Sequence, residues 1–160
     1  MGIGRYRRWW RILEAMMVAL VLLPAGSVRS MTAPPKRTAE IVNTGSTNFA
    51  GYKVIVEESG HARYTPGKGR HFDTAETELE GDLRPETVRK LFADIDAAGP
   101  LSKLPPPHCM KSASFGTSTF IEVGEDRSPD LSCSSGNKIM DALYKDAQTI
   151  LSELKATRPR

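Results

Sequence analysis

The sequence has little of what builds metal centres and disulfide scaffolds: its 160 residues include two cysteines, three histidines and 7% aromatic residues. Two cysteines exclude a small scaffold held together mainly by disulfides. No Cys-x-x-Cys pair, Gly-x-Ser-x-Gly turn or glycine-rich phosphate loop occurs, so these particular motifs of redox, α/β-hydrolase and nucleotide sites are missing. The hydrophobic share of 39% nevertheless exceeds that of a wholly disordered chain.

Long hydrophobic runs are missing too. The longest, residues 15–23, covers about 14 Å as a helix, roughly half of a bilayer's hydrocarbon core. Four arginines precede this run, and a proline and small residues follow it, which is the order of a secretory signal peptide. We predict a signal peptide at 1–27 and an exported, periplasmic or extracellular protein. An uncleaved membrane tether is one alternative, and a true start at Met31 is another.

The basic surplus of the chain belongs to this segment. Removing residues 1–27 removes four arginines and one glutamate, which leaves 18 basic and 18 acidic residues. The remaining chain is formally neutral, so its charge gives no support for a nucleic-acid partner.

The remainder predicts one domain. Residues 28–40 are proline-rich and predict a flexible tether, and residues 41–157 predict a single α+β domain. Alternating or β-branched segments predict five strands, at 52–57, 61–65, 76–83, 117–123 and 128–133. Helical periodicity predicts two amphipathic helices, at 82–98 and 139–154. The predicted architecture is a two-layer sandwich in the order β-β-β-α-β-β-α, with an antiparallel sheet of about five strands covered by the two helices.

The same periodicities predict which residues are buried. The first hairpin is expected to bury Val54, Val56, Ala62 and Tyr64 on one face. The helices are expected to bury two apolar stripes: Val88, Leu91, Phe92, Ile95 and Ala98, and Ile139, Leu143, Ala147, Ile150, Leu151 and Leu154.

Cys109 and Cys133 are expected to form one disulfide, because paired cysteines are oxidised in the compartments to which exported proteins are sent. For a 25-residue loop the chain-entropy model gives about 3.5 kcal/mol of stabilisation. A metal site that uses His108 with both cysteines has too few ligands at a recognisable spacing, so no metal or cofactor is expected.

Two loops carry candidate binding residues. The first has Lys68, Arg70 and His71, which could hold an acidic ligand, although an ordinary solvated loop explains them as well. The second combines a basic residue with hydroxyls, and its candidates are Lys111, Ser112 and Ser114. Such a loop could bind an anion or supply a nucleophile, and the plain alternative is a serine-rich approach to a strand.

Three blocks of sequence carry a resemblance: Asn43 to Tyr52, Lys111 to Thr117, and Ser128 to Cys133. Together they resemble the pattern of small exported bacterial proteins that contain a domain of unknown function, over about 90 residues. The resemblance implies no catalytic residues, and it slightly favours a role other than catalysis.

The leading hypothesis is therefore an exported domain with a non-catalytic binding or structural role and an envelope or extracellular protein as its partner. One alternative is a secreted protease inhibitor that uses the disulfide-tied loop 104–115. Another is a serine-dependent hydrolase that uses Ser112 or Ser114 with a histidine.

Overall fold

The structure, a computed structural model, describes residues 36–67, 77–133 and 136–156. All of them belong to one compact unit, Pro34–Arg160. The predicted signal peptide and the loop residues Lys68, Arg70 and His71 lie outside the described residues.

The described residues form one antiparallel sheet, two α-helices and two short 3₁₀ helices. The strands are β1 (Thr38–Asn43), β2 (Tyr52–Glu57), β3 (His61–Pro66), β4 (Leu79–Asp82), β5 (Thr119–Val123) and β6 (Asp126–Arg127). The α-helices are α1 (Pro85–Ala98) and α2 (Lys138–Ala156), and the 3₁₀ helices are Leu101–Lys103 and Leu131–Cys133. The strand order across the sheet is β4-β3-β2-β1-β5-β6. The predicted α+β class, with an antiparallel sheet and two helices, is confirmed, although the sheet has six strands instead of five.

The first hairpin follows its alternating pattern. Val54 and Val56 of β2 and Ala62 and Tyr64 of β3 are buried in the core, as predicted. The turn between these strands ends at Gly60, whose φ of 104° suits a residue without a Cβ.

The helices bury most of their predicted apolar stripes, but Ala98 and Leu151 are only partly buried and Ile139 is exposed. In α1, Val88, Leu91, Phe92 and Ile95 are buried as predicted. In α2, Ile139 is 40% exposed and Met140 is buried in its place. The side chain of Asn137 accepts hydrogen bonds from the N–H groups of both residues and so caps the N-terminus of the helix. No helix in the described ranges is both long enough and apolar enough to cross a bilayer.

Strand β1 was missed by the sequence analysis. It lies in the middle of the sheet, between β2 and β5, and it buries Ala39 and Ile41. The strand begins at Thr38, so the predicted tether 28–40 extends three residues into the sheet. The polar, proline-rich stretch in front of β1 hid the alternation of a strand only six residues long.

The strand predicted at 128–133 is absent: one backbone bond, from the N–H of Ser128 to the carbonyl of Ile121 at 2.9 Å, joins this part of the chain to β5, and side chains make further bonds. The hydroxyl of Ser128 accepts the N–H of Ile121 at 3.0 Å, and the carboxylate of Asp130 accepts the N–H of Thr119 at 3.1 Å. Pro129 between them has no N–H to donate to a ladder. The last strand of the sheet is the two-residue β6, which lies directly before the segment predicted as a strand.

A group of charged residues lies between the two helices. Lys90 Nζ of α1 lies 2.6 Å from Asp94 Oδ2 and 2.7 Å from Asp146 Oδ1 of α2. Asp146 is buried, and its Oδ2 has no hydrogen-bond partner among the described residues. Burial and the neighbouring Asp94 raise the pKa of Asp146 to about 6 against the opposing effect of Lys90, so the carboxyl group of Asp146 holds a proton in mildly acidic solution.

Candidate binding surface

The three blocks of sequence quoted above meet at one end of the sheet. β1 ends at Asn43 and β5 begins at Thr119, and these two residues are paired. The loop that leaves β1 and the loop that leads into β5 are therefore neighbours. We call residues 44–51 and 104–118 together the loop surface.

Hydrogen bonds join the two loops. The N–H of Asn48 donates to the carbonyl of Ser114 at 3.1 Å, and the hydroxyl of Ser46 donates to the same carbonyl at 2.9 Å. Below them, the side-chain amide of Asn43 donates to the hydroxyls of Thr117 and Thr119 at 3.2 and 3.0 Å. These bonds hold the loops in one arrangement.

Glycines allow the backbone to pack this closely. Gly45 has a φ of 68°, and a Cβ at this position would overlap the backbone at Gly51. A Cβ on Gly51 would overlap the carbonyl oxygen of Asn43, and one on Gly67 would lie 2.6 Å from the carbonyl oxygen of Gly51. Larger residues would force the 44–51 loop away from the sheet.

A polar centre fixes the second loop from below. Lys111 Nζ lies 2.5 Å from Asp130 Oδ2, 2.5 Å from the carbonyl oxygen of Thr117 and 2.5 Å from Ser132 Oγ. Asp130 Oδ1 also accepts the N–H of Thr119 and the hydroxyl of Ser132. Burial alone would raise the pKa of Asp130, but these hydrogen bonds outweigh it and lower the pKa to about 2.

The predicted disulfide between Cys109 and Cys133 is present, with 5.7 Å between the two Cα atoms. It joins the exposed middle of the 104–118 loop to the buried 3₁₀ helix at Leu131–Cys133. The 3₁₀ helix Leu101–Lys103, which precedes this loop, is held by Asp126, whose carboxylate accepts the N–H groups of Leu101 and Ser102 at 2.7 and 2.9 Å.

Apolar side chains are exposed on the loop surface. The large hydrophobic residues exposed in the described ranges are Phe49 (53%), Met110 (102%), Phe115 (64%) and Ile139 (40%). Three of these four lie on the loop surface. The rings of Phe49 and Phe115 meet edge to face with centroids 6.2 Å apart, so the two loops present one joint aromatic contact.

The residues that the sequence predicts for binding are other residues of this surface. Lys111 is there, but its ammonium group is used inside the molecule. Ser112 is exposed, and its hydroxyl accepts the N–H of Ser114 at 3.3 Å. Phe49, Phe115 and Met110 were not selected, although an apolar residue isolated in a polar loop is a signal that could have identified them.

No described histidine forms a hydrogen bond with Ser112 or Ser114. Nδ1 of His61 lies 3.4 Å from Oδ1 of Asp82 on the β3–β4 side of the sheet, whereas both serines precede β5. His71 lies outside the described residues. The described ranges also contain no group of three or more His, Cys, Asp or Glu residues that could hold a metal ion.

A shallow groove of about 500 Å³ lies on the helical side of the molecule, between Arg84 and the last turns of α2. Glu153, its acidic group, accepts the N–H of Arg84 at 2.6 Å and the hydroxyl of Thr87 at 2.9 Å. This carboxylate therefore caps the first turn of α1, and its acceptors are already used.

No protein-family model and no curated protein sequence matches this chain.

Proposed function

We propose that this chain is an exported, non-catalytic binding domain that contacts an envelope or extracellular protein through the loop surface. The observation that carries the proposal is the concentration of Phe49, Met110 and Phe115 on two loops that are themselves fixed. Exposed apolar residues grouped in one place are typical of protein-binding sites.

The rigidity of the loops supports this proposal. A loop that is ordered before binding loses less conformational entropy when a partner docks, so more of the contact energy appears as affinity. Here Lys111 fixes the second loop from below, and the bonds from Ser46 and Asn48 fix the first loop to it. Each phenylalanine can bury about 150 to 200 Å² in a contact, and aromatic residues of this kind often dominate binding energy.

Export is supported by two observations. The order of residues in 1–27 is that of a signal peptide. The Cys109–Cys133 bridge is typical of proteins in an oxidising compartment such as the periplasm or the cell exterior.

The test is affinity capture from the envelope fraction of the producing cells, with three forms of the protein. We expect the natural chain and Ile139→Ser to retain the same partner and the double variant Phe49→Ser/Phe115→Ser to lose it. Ile139 is the matched control because it is an exposed apolar residue in α2, outside the loop surface. Equal capture by all three forms would show that the loop surface is not the contact.

A further inference from the structure

We propose that the partner is a serine endopeptidase and that Met110 enters its specificity pocket, which makes the protein a reversible protease inhibitor. This inference rests on the proposed function, and it names the class of the partner and the bond at which the two proteins meet: the peptide bond between Met110 and Lys111.

Met110 has the exposure and the irregular backbone that a protease substrate residue needs. Its side chain is 102% exposed, and residues 105–112 form neither helix nor strand. Endopeptidases bind their substrates as an extended segment whose side chains enter pockets in the cleft. A segment outside secondary structure, with its apolar side chain fully free, can enter such a cleft without unfolding the domain.

The residues on both sides of Met110 are fixed to the domain. Cys109 is bonded to Cys133, and Lys111 is held by the carboxylate of Asp130 and the hydroxyl of Ser132. Met110 is therefore exposed between two neighbours that are each bonded to the rest of the domain. This arrangement distinguishes the segment from an ordinary flexible loop, which a protease would bind weakly and cut.

The same anchors explain why a cut would not be completed. The protease serine oxygen would attack the carbonyl carbon of Met110 and form an ester, while the bond to the Lys111 nitrogen breaks. The serine proton would pass through the protease histidine to that nitrogen, which becomes a free amine. Because Lys111 stays bound to Asp130 and Met110 stays next to the Cys109 bridge, the amine remains beside the ester. It attacks the ester again, which restores the peptide bond and returns the proton to the serine.

The chemistry of Met110 defines the class of protease. Its side chain is long, unbranched and apolar, so it fits a deep apolar specificity pocket and not an acidic one. Phe115 precedes Gly116, which packs against Lys111, so the backbone that carries this exposed ring lies close to the residue after the proposed bond. We infer that Phe115 and its neighbour Phe49 contact the rim of the protease cleft.

The experiment measures inhibition constants against chymotrypsin, subtilisin and trypsin for the natural protein, Met110→Lys and the control Ile139→Lys. We expect the natural protein and the control to inhibit chymotrypsin or subtilisin at least tenfold more tightly than trypsin. Met110→Lys should reverse the preference, because the acidic pocket of trypsin accepts lysine. Mass spectrometry of the mixtures should find cleavage at 110–111 slow and incomplete.

Three results would overturn the inference: no inhibition by either the natural protein or Met110→Lys, an unchanged preference in Met110→Lys, or rapid cleavage at this bond. None of them bears on whether Phe49 and Phe115 are needed for partner capture. The capture experiment alone decides the proposed binding function, so the two failures can be distinguished.

Discussion

The ammonium of Lys111 and the carboxylate of Asp130 meet at 2.5 Å beneath the loop surface, and the two side chains are only 23% and 11% exposed. The pair joins the loop that leads into β5 to the segment that follows β6. Because few water molecules reach the pair, removing one partner leaves an uncompensated charge, which costs more than breaking an exposed ion pair.

Replacing this carboxylate should destabilise the protein and change its response to acid. Asp130→Asn leaves a mostly buried ammonium without its counter-charge, and we expect a loss of about 3 kcal/mol in the free energy of unfolding. The pKa of Asp130 is lowered from 3.8 to about 2. The contribution of the Asp130 carboxylate to the free energy of unfolding is therefore complete above pH 4 and is lost as the pH falls towards 2.

Urea unfolding between pH 2 and pH 7 measures both effects. The control is Asp82→Asn, because the Asp82 side chain is 87% exposed. A decrease in stability of the same size in the two variants would contradict the special role of Asp130.

Removing the disulfide should reduce stability by about 3.5 kcal/mol, since the bridge restricts the unfolded chain. The double variant Cys109→Ser/Cys133→Ser and the reduced natural protein should unfold at the same, lower urea concentration. If the oxidised and reduced natural proteins unfolded together, the bridge would have no role in stability.

The helix interface should respond to pH in the opposite direction. The pKa of Asp146 is raised from 3.8 to about 6, so its contribution to stability is complete below pH 4 and is lost as the pH rises through 6. In Asp146→Asn the side chain stays neutral and still offers an oxygen to Lys90. We expect the free energy of unfolding of this variant to exceed that of the natural protein by about 1 kcal/mol at pH 7.5. Between pH 4 and pH 6 the stability of the variant should change much less than that of the natural protein. Thermal unfolding across this range would refute the account if the two pH profiles were parallel.

Adding a Cβ at Gly51 should destabilise the protein, because the backbone packs closely around this residue. A Cβ at position 51 would overlap the carbonyl oxygen of Asn43, whereas a Cβ at Gly124 meets no atom within 4 Å. Gly124→Ala should therefore cost about 1 kcal/mol, because of its positive φ alone. Gly51→Ala should cost at least about twice as much and should increase amide hydrogen exchange at Asn48. Equal costs in the two variants would mean that the 44–51 loop can move aside easily.

Local patterns predicted the architecture but not the site. Alternation predicted the β2–β3 hairpin and helical periodicity predicted α1, because each depends on residues close together in the chain. The role of Lys111 depends on Asp130, which is 19 residues away, so the same lysine looked like a free cation for a ligand. The aromatic contact between Phe49 and Phe115 depends on β1 and β5 being neighbours, and β1 itself was not predicted.

The central claim, that the loop surface is the contact with a partner, is tested most directly by photo-crosslinking in cells that export the protein. One form carries p-benzoylphenylalanine in place of Phe115, and the control carries it in place of Ile139. The account predicts a covalent adduct with one protein species from position 115 and none from position 139. No adduct from position 115, or the same adduct from both positions, would contradict it.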